Sequence, residues 1–150
     1  MEPITARRIT RWRVRTCALV LNDVASDYRA QLEEIGATCR SAGLRCLFLT
    51  QPSGYSVGTD PKYRRYFWMT PFEEDYTLDL AFIAGIADLY NQHLIGFARE
   101  QSHDLLDLAA AMPAGINNFY DDVHFNTEGA RQVANVLTDA LIAGACGFAD

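Results

Sequence analysis

The chain has 150 residues, of which 49% are hydrophobic, 11% aromatic and 21% charged, a composition typical of one globular domain with a sizeable core. Ordinary glycine and proline contents exclude collagen-like and low-complexity chains, and no stretch approaches the ~18 uninterrupted apolar residues of a membrane span. A formal charge of -6 argues against a general nucleic-acid binder, because such proteins neutralise phosphates with Lys and Arg.

Basic residues are concentrated near the N-terminus. Residues 1–25 have a formal charge of +3, whereas residues 26–150 have a formal charge of -9. We expect residues 1–25 to be an Arg-rich leader that is surface-exposed or poorly ordered, with a transit peptide or a basic arm as the alternatives. The leader lacks the apolar core of roughly 7–15 residues that a secretory signal needs, so a cytoplasmic location is slightly favoured.

The four cysteines are Cys17, Cys39, Cys46 and Cys146. They form no Cys-x-x-Cys pair and have no His at zinc-finger spacing. Cys46 stands in the apolar run Leu44–Leu49, where we expect a buried, inert thiol. The pattern therefore predicts no disulfide framework and favours a reducing compartment.

The first elements predicted after the leader are a helix and a strand. A weaker strand candidate, Val14–Leu21, precedes them. Apolar residues at spacings of three and four predict a helix over Asp27–Ala42, capped by Ser26 or Asp27 and ended by Gly43. The short apolar run Leu44–Thr50 predicts a buried strand.

Residues 51–75 form a long irregular segment rich in Gly, Pro and aromatic residues, as in functional lids and pocket walls. Beyond it, the sequence predicts a helix over Leu78–Gln101, a strand over Leu105–Leu108 and a loop over 109–126. An amphipathic helix over Thr127–Ala143 follows, with Thr127 as its cap.

The order of helices and strands predicts an α/β fold with a parallel sheet covered by helices on both faces. Ligands of such sheets collect at the carboxyl ends of strands. The segments that follow Thr50 and Leu108 are therefore expected to share one site.

The densest polar cluster runs from Phe119 to Gly129. Asp121 stands three residues before His124 in a loop ahead of a helix, so its carboxylate can accept from one ring nitrogen and leave the other free as a base. This is the Asp–His half of a Ser-His-Asp triad, although a solvated loop at a helix entry has the same spacing. The other alternative is a metal site of Asp121, Asp122 and His124 with His103 or Asp104, which lacks a second ligand cluster.

The sequence around this motif resembles a known family. The first matching part is a helix–strand unit, made of the helix that starts at Asp27 and the segment Leu47–Pro52. The later matching segments are Asn91-x-x-Leu94, Asp104–Ala109, Phe119–Ala130 and Val133-Ala134. Together they resemble the C-terminal part of an SGNH/GDSL-family hydrolase, over about residues 27–141. The most diagnostic piece is Asp-x-x-His-x-x-x-x-Gly, which begins at Asp121. Residues 26–150 would then be the C-terminal portion of a single hydrolase domain.

The resemblance implies a three-layer α/β/α, flavodoxin-like fold with a parallel sheet, and esterase or lipase activity by a serine hydrolase mechanism without metal or cofactor. By resemblance, His124 is the general base and then general acid, and Asp121 orients it. Asp122 falls between motif positions and is expected to be structural, and Gly129 permits close packing at the helix start. The implied substrate is a small-molecule ester or an acylated carbohydrate.

The sequence departs from the family at the nucleophile. No Gly-Asp-Ser segment occurs, and none of the five serines stands in that context. Asn22-Asp23 resembles the family's Gly-x-Asn-Asp block, which makes Asn22 a weak candidate oxyanion donor, but Val20 replaces the glycine.

Without the serine, we expect the chain alone to be inactive. Three explanations stay open: a fragment that lacks the N-terminal strand or strands, which we favour, one part of a split enzyme completed by another chain or an oligomer, or a degenerate domain that binds without cleaving.

The long segment after Thr50 supplies three candidate substrate-pocket residues, namely Tyr55, Tyr66 and Trp68. The same segment carries Arg64 and Arg65. The three aromatic residues are suited to wall an acyl or sugar pocket next to His124, and a lid packed on the sheet is the alternative. The basic stretch at residues 62–65 is too short for a nucleic-acid platform in an acidic chain.

Overall fold

A computed structural model describes residues 13–14, 23–56, 58–69, 76–112 and 116–144. In these ranges short strands alternate with helices, which is a mixed α/β architecture. The strands are β1 (Arg13–Val14), β2 (Leu47–Leu49), β3 (Tyr76–Thr77) and β4 (Asp104–Leu106). The helices are α1 (Ser26–Ser41), α2 (Leu80–Glu100), α3 (Leu108–Ala111) and α4 (Thr127–Ile142), and 3-10 turns span Arg64–Tyr66 and Ile116–Asn118.

The strands pair in parallel, as predicted. In the pair β2–β4, Leu47 lies opposite Asp104 and Leu49 opposite Leu106. A second pair joins β1 to β3. Among the described strands these are two separate two-stranded sheets rather than one sheet covered on both faces. Of the predicted strand at residues 14–21, only Val14 lies within the described residues.

Helix α1 ends as predicted and begins differently. Gly43 follows the last turn with φ +65°, a left-handed conformation that favours glycine and ends the helix. The N-cap is Ala25, and no side chain caps the helix, so the predicted cap at Ser26 or Asp27 is wrong. Both residues instead belong to the first turn, since the extended backbone continues only to Ala25.

Two apolar clusters hold the elements together. The first packs α1, β2 and α2 against one another and consists of Leu32, Phe48, Leu94 and Phe97. The second anchors the segment after β2 on the start of α2 and consists of Phe67, Met69, Leu80 and Ile83, with Tyr55 packed against it. The long segment is therefore part of the packed structure, because three of its apolar side chains are engaged. No helix within the described ranges has the length and apolarity needed to cross a membrane.

Cys39 and Cys46 form a disulfide, so the prediction of a buried, inert thiol at Cys46 is wrong. Cys39 lies in the last turns of α1 and Cys46 directly precedes β2, and the reversal at Gly43 brings their Cα atoms to 6.1 Å. A seven-residue separation matches no redox or zinc motif, which is why the spacing alone did not indicate the bond. Disulfides are typical of oxidising compartments, so the reason for favouring a reducing one no longer holds.

Candidate functional site

The segment Phe119–Phe125 is a tight hairpin closed by its own backbone. Its two end residues form an antiparallel bridge, and their rings lie 5.1 Å apart. Inside the bridge, the N–H of Tyr120 donates to the carbonyl of His124 at 2.8 Å. The three residues between Tyr120 and His124 are therefore held in one turn, and we call the segment Phe119–Phe125 the hairpin.

Asp121 and His124 contact each other in this hairpin. Oδ1 of Asp121 accepts from the backbone N–H groups of Val123 and His124 at 2.9 and 2.8 Å, while Oδ2 lies 2.8 Å from Nδ1 of His124. One carboxylate thus closes the turn and orients the imidazole. The His124 side chain is 74% exposed, and no described residue hydrogen-bonds to its Nε2.

The electrostatics of the pair favour an ionised carboxylate. Partial burial raises the pKa of Asp121. The backbone N–H groups of His124 and Val123 and the imidazole outweigh this effect and lower the pKa to about 2. An ionised carboxylate only accepts hydrogen bonds, so Nδ1 of His124 carries the hydrogen. In the neutral imidazole, Nε2 is then the basic nitrogen.

Asp122 is the neighbour of the pair and is buried, as expected for a structural residue. Its Oδ2 accepts from the Tyr55 hydroxyl and, at 3.2 Å, from the Trp68 N–H, and its carbonyl accepts from the Gly54 N–H at 2.7 Å. Burial is the main cause that raises the pKa of Tyr55, and the hydrogen bond to Asp122 and the charge of Asp122 raise it further. The Tyr55 hydroxyl therefore stays protonated and donates. Three contacts thus fasten the segment after β2 to the hairpin.

Two glycines allow backbones to approach closely at this site. A Cβ on Gly54 would lie 2.9 Å from the carbonyl oxygen of Asp121. A Cβ on Gly129 would lie 2.0 Å from the carbonyl oxygen of Asn118, which agrees with the packing expected of that glycine. Sequence reasoning missed Gly54, because a glycine in an irregular segment carries no sign of its distant neighbour.

Helix α4 begins directly after the hairpin. Its N-cap is Asn126, whose side chain accepts from the N–H of Gly129 at 2.9 Å, so the predicted cap at Thr127 is wrong by one residue. The Asn126 amide also donates to the carbonyl of Asn117 at 2.8 Å. Asn126 satisfies the helix end and the preceding turn together, which Thr127 cannot do from inside the first turn.

The carboxyl ends of β2 and β4 are tied together by side-chain hydrogen bonds. The buried hydroxyl of Thr50 donates to Asp107 Oδ1 at 2.7 Å and accepts from the N–H of Ala109 at 2.8 Å. The amide of Asn91 on α2 accepts from the N–H of Gln51 at 2.8 Å and donates to its carbonyl at 3.0 Å. The two segments predicted to share a site are therefore adjacent.

The three candidate pocket residues have different environments. Tyr55 lines a cavity of about 250 Å³ between the segment after β2 and helices α2 and α3, together with Asp88 and Asn91. Tyr66 and Trp68 do not line this cavity, and neither does His124. Tyr66 is partly exposed beneath Arg65, whereas Trp68 is 83% exposed. The weak oxyanion candidate Asn22 lies outside the described residues.

The alternative metal site is not assembled. Across the described ranges no group of three or more His, Cys, Asp or Glu side chains is arranged to hold a metal ion. His103 Nε2 lies 3.2 Å from a guanidinium nitrogen of Arg40, and Asp104 pairs with Arg45 at 2.9 Å. The two suggested extra ligands therefore have partners of their own.

Comparison with known proteins finds no family model, no curated protein and no solved structure that matches this chain.

Proposed function

We propose that this chain carries the Asp–His half of the triad of an SGNH/GDSL-type hydrolase that cleaves an ester or acyl group. The observation that carries the proposal is the 2.8 Å contact between Asp121 Oδ2 and Nδ1 of the His124 side chain, which is 74% exposed. The parallel pair β2–β4 would belong to the sheet of a three-layer α/β/α, flavodoxin-like domain.

In the proposed reaction, a serine hydroxyl attacks the ester carbonyl carbon while His124 Nε2 accepts the hydroxyl proton. The imidazolium then gives this proton to the leaving alkoxide as the ester C–O bond breaks. Asp121 stays ionised and stabilises the imidazolium through Nδ1. Water completes the cycle by hydrolysing the acyl-serine, with His124 again as the base.

The sequence lacks the Gly-Asp-Ser segment that would supply the serine. None of its five serines hydrogen-bonds to His124, although all five lie within the described residues. In this proposal the serine comes from a polypeptide segment outside this sequence, and the chain alone is inactive.

The test begins with the coding context, where we expect a Gly-Asp-Ser segment upstream in the same or an adjacent reading frame. Hydrolysis of p-nitrophenyl acetate is then measured on the chain alone and on the chain produced together with that segment. The chain alone should show no turnover that depends on His124. In the assembled protein, His124→Ala should lower kcat by about 10⁴-fold or more, as loss of a triad member does.

His93→Ala is the matched control, because His93 lies on α2 with its ring against Tyr28 and is not part of the hairpin. It should leave kcat unchanged. An assembled protein whose activity is indifferent to His124→Ala would refute the proposal. Activity of the chain alone that His124→Ala abolishes would show instead that the nucleophile lies within this sequence.

A second candidate is a binding domain that does not cleave. It is favoured by the missing Gly-Asp-Ser segment together with the exposed ring of Trp68, whose backbone N–H is bound to Asp122 in the hairpin. An assembled protein that binds its ligand with no ester hydrolysis would decide for this candidate.

A further inference from the structure

The two cysteines of the Cys39–Cys46 disulfide have different environments. Cys39, in the last turns of α1, is buried and only 5% exposed. Cys46 is half-buried and directly precedes β2, and residues 42–45, which link it to α1, are all exposed. The disulfide is therefore accessible from the side of Cys46.

A cavity opens on this side of the disulfide. Its volume is about 380 Å³, within the range of roughly 300–1,000 Å³ that is typical of small-molecule sites. Its walls come from the end of α1, the turn before β2 and the turn between α2 and β4. Cys46 lines the cavity and Cys39 does not. A small molecule in the cavity therefore contacts Cys46.

Contacts other than the disulfide hold the walls of the cavity together. Arg40, at the end of α1, donates to the Gln101 side chain at 3.2 Å and lies 3.2 Å from Nε2 of His103. Arg45 donates to both oxygens of the Asp104 carboxylate, at 2.9 and 3.1 Å, and β2 pairs with β4 directly after this contact. The residues next to each cysteine are thus attached to the same junction of α2 and β4. Breaking the S–S bond therefore does not require that α1 separate from β2.

The charges in the cavity wall permit an anionic reagent to approach. Asp104 is the only carboxylate among the lining residues, and it is paired with Arg45. Arg40 adds a second guanidinium group, which lies in the last turn of α1 and offsets the partial negative charge of that helix end. The attacking species in thiol–disulfide exchange is a thiolate. Such an anion meets two positive groups and one paired carboxylate at this site.

We propose that Cys46 is a site of reversible modification by a small aliphatic thiol, a class that includes glutathione. The thiolate attacks Cys46 Sγ, the S–S bond to Cys39 breaks, and the electron pair leaves with Cys39 Sγ, which takes a proton from water. The product is a mixed disulfide on Cys46 and a free thiol at Cys39. Attack by the Cys39 thiolate on Cys46 Sγ reverses the step and releases the small thiol, so no further oxidant is needed. The inference is independent of the proposed hydrolase, because neither cysteine belongs to the hairpin.

The alternative is a structural disulfide that reacts only after the chain unfolds, and the two cases differ in their response to urea. Exchange in the folded chain depends little on urea below the unfolding transition. Exchange through the unfolded chain follows the unfolded population, which rises by about fivefold or more per molar urea when the m-value is about 1 kcal/mol/M or more.

Incubation of the oxidised, folded chain with reduced glutathione tests the proposal, in a Cys17→Ala/Cys146→Ala background that keeps only the two paired cysteines. Rapid alkylation traps the products for mass spectrometry. We expect the same rate of adduct formation with and without about 1 M urea. Peptide mapping should place glutathione on Cys46 and the alkyl group on Cys39.

Lone-thiol variants in the same background test the choice of sulfur. Cys39→Ala leaves only Cys46, and Cys46→Ala leaves only Cys39. Oxidised glutathione should modify the first variant at least about tenfold faster than the second, because the reactivity of a thiol follows its exposure. In the variant that retains Cys46, Gln101→Trp in the cavity wall should slow modification, whereas Gln31→Trp on the exposed surface of α1 should not. Thermal melts identify the variants that are folded and can be compared.

Three results would overturn the inference. The first is an adduct rate that rises by about fivefold or more per molar urea, which would show that reaction requires unfolding. The second is glutathione found on Cys39 rather than on Cys46. The third is equal reactivity of the two lone thiols.

Discussion

Breaking the Cys39–Cys46 disulfide is expected to lower the free energy of unfolding by about 2.5 kcal/mol. The bond closes a loop of about eight residues, and the chain-entropy model gives a loss of about 8 cal/mol/K for closing such a loop in the unfolded chain. For a chain of this size, that change lowers Tm by roughly 5–10 °C. The loop includes the turn at Gly43, so its native conformation is already held by the end of α1 and the start of β2.

Urea denaturation with and without dithiothreitol measures the effect, alongside a Cys39→Ala/Cys46→Ala variant. The reduced parent chain and this variant should have similar midpoints, both below that of the oxidised chain. A Cys17→Ala/Cys146→Ala variant is the control and should keep the full response to reductant. Unchanged midpoints on reduction, or two free thiols at Cys39 and Cys46 by mass spectrometry, would show that the reasoning is incorrect.

Three further substitutions test the site. Gly129→Ala should destabilise the protein by about 2–4 kcal/mol, because its Cβ would lie 2.0 Å from a backbone carbonyl oxygen, whereas Gly85→Ala, with open space around its Cβ, should be neutral or stabilising in thermal melts. Tyr55→Phe leaves the buried Asp122 without its hydroxyl donor, which should cost about 1–3 kcal/mol and speed tryptic cleavage of the segment after β2; unchanged cleavage would contradict the fastening role. Since the folded-state pKa of Asp121 is lowered to about 2, its stabilisation is complete above the ordinary value near 4 and is lost as pH falls toward 2. Asp121→Asn should flatten that part of the stability–pH curve measured by urea titration, and an unchanged curve would argue against the contact.

Several elements were predictable because their causes are local. The helix predicted over Asp27–Ala42 is α1, and those predicted over Leu78–Gln101 and Thr127–Ala143 are α2 and α4, with every end within two residues of the prediction. The spacing of three and four is set by the helix itself. The strands are shorter than predicted, since β2 extends only as far as its pairing with β4.

The Asp–His contact was also within reach of the sequence. It joins residues three apart, and the same carboxylate closes the turn that carries both side chains. The attachment of the segment after β2 to the hairpin could not be predicted from the sequence. Tyr55 and Asp122 are 67 residues apart, and the sequence around each of them does not indicate the other as its partner. The exposure of Trp68 likewise depends on tertiary packing, because its neighbours Phe67 and Met69 are the residues that pack against α2.

The sequence by itself determined the α/β order of elements, the glycine end of α1 and the Asp121–His124 pair, since each follows from backbone geometry within a few residues. Only the tertiary structure decided the Cys39–Cys46 disulfide, the close approach at Gly54 and the attachment of the segment after β2 to the hairpin. The physical reason is that these contacts arise where separate elements pack. Packing depends on the shapes of both partners, and a linear pattern describes one partner at a time.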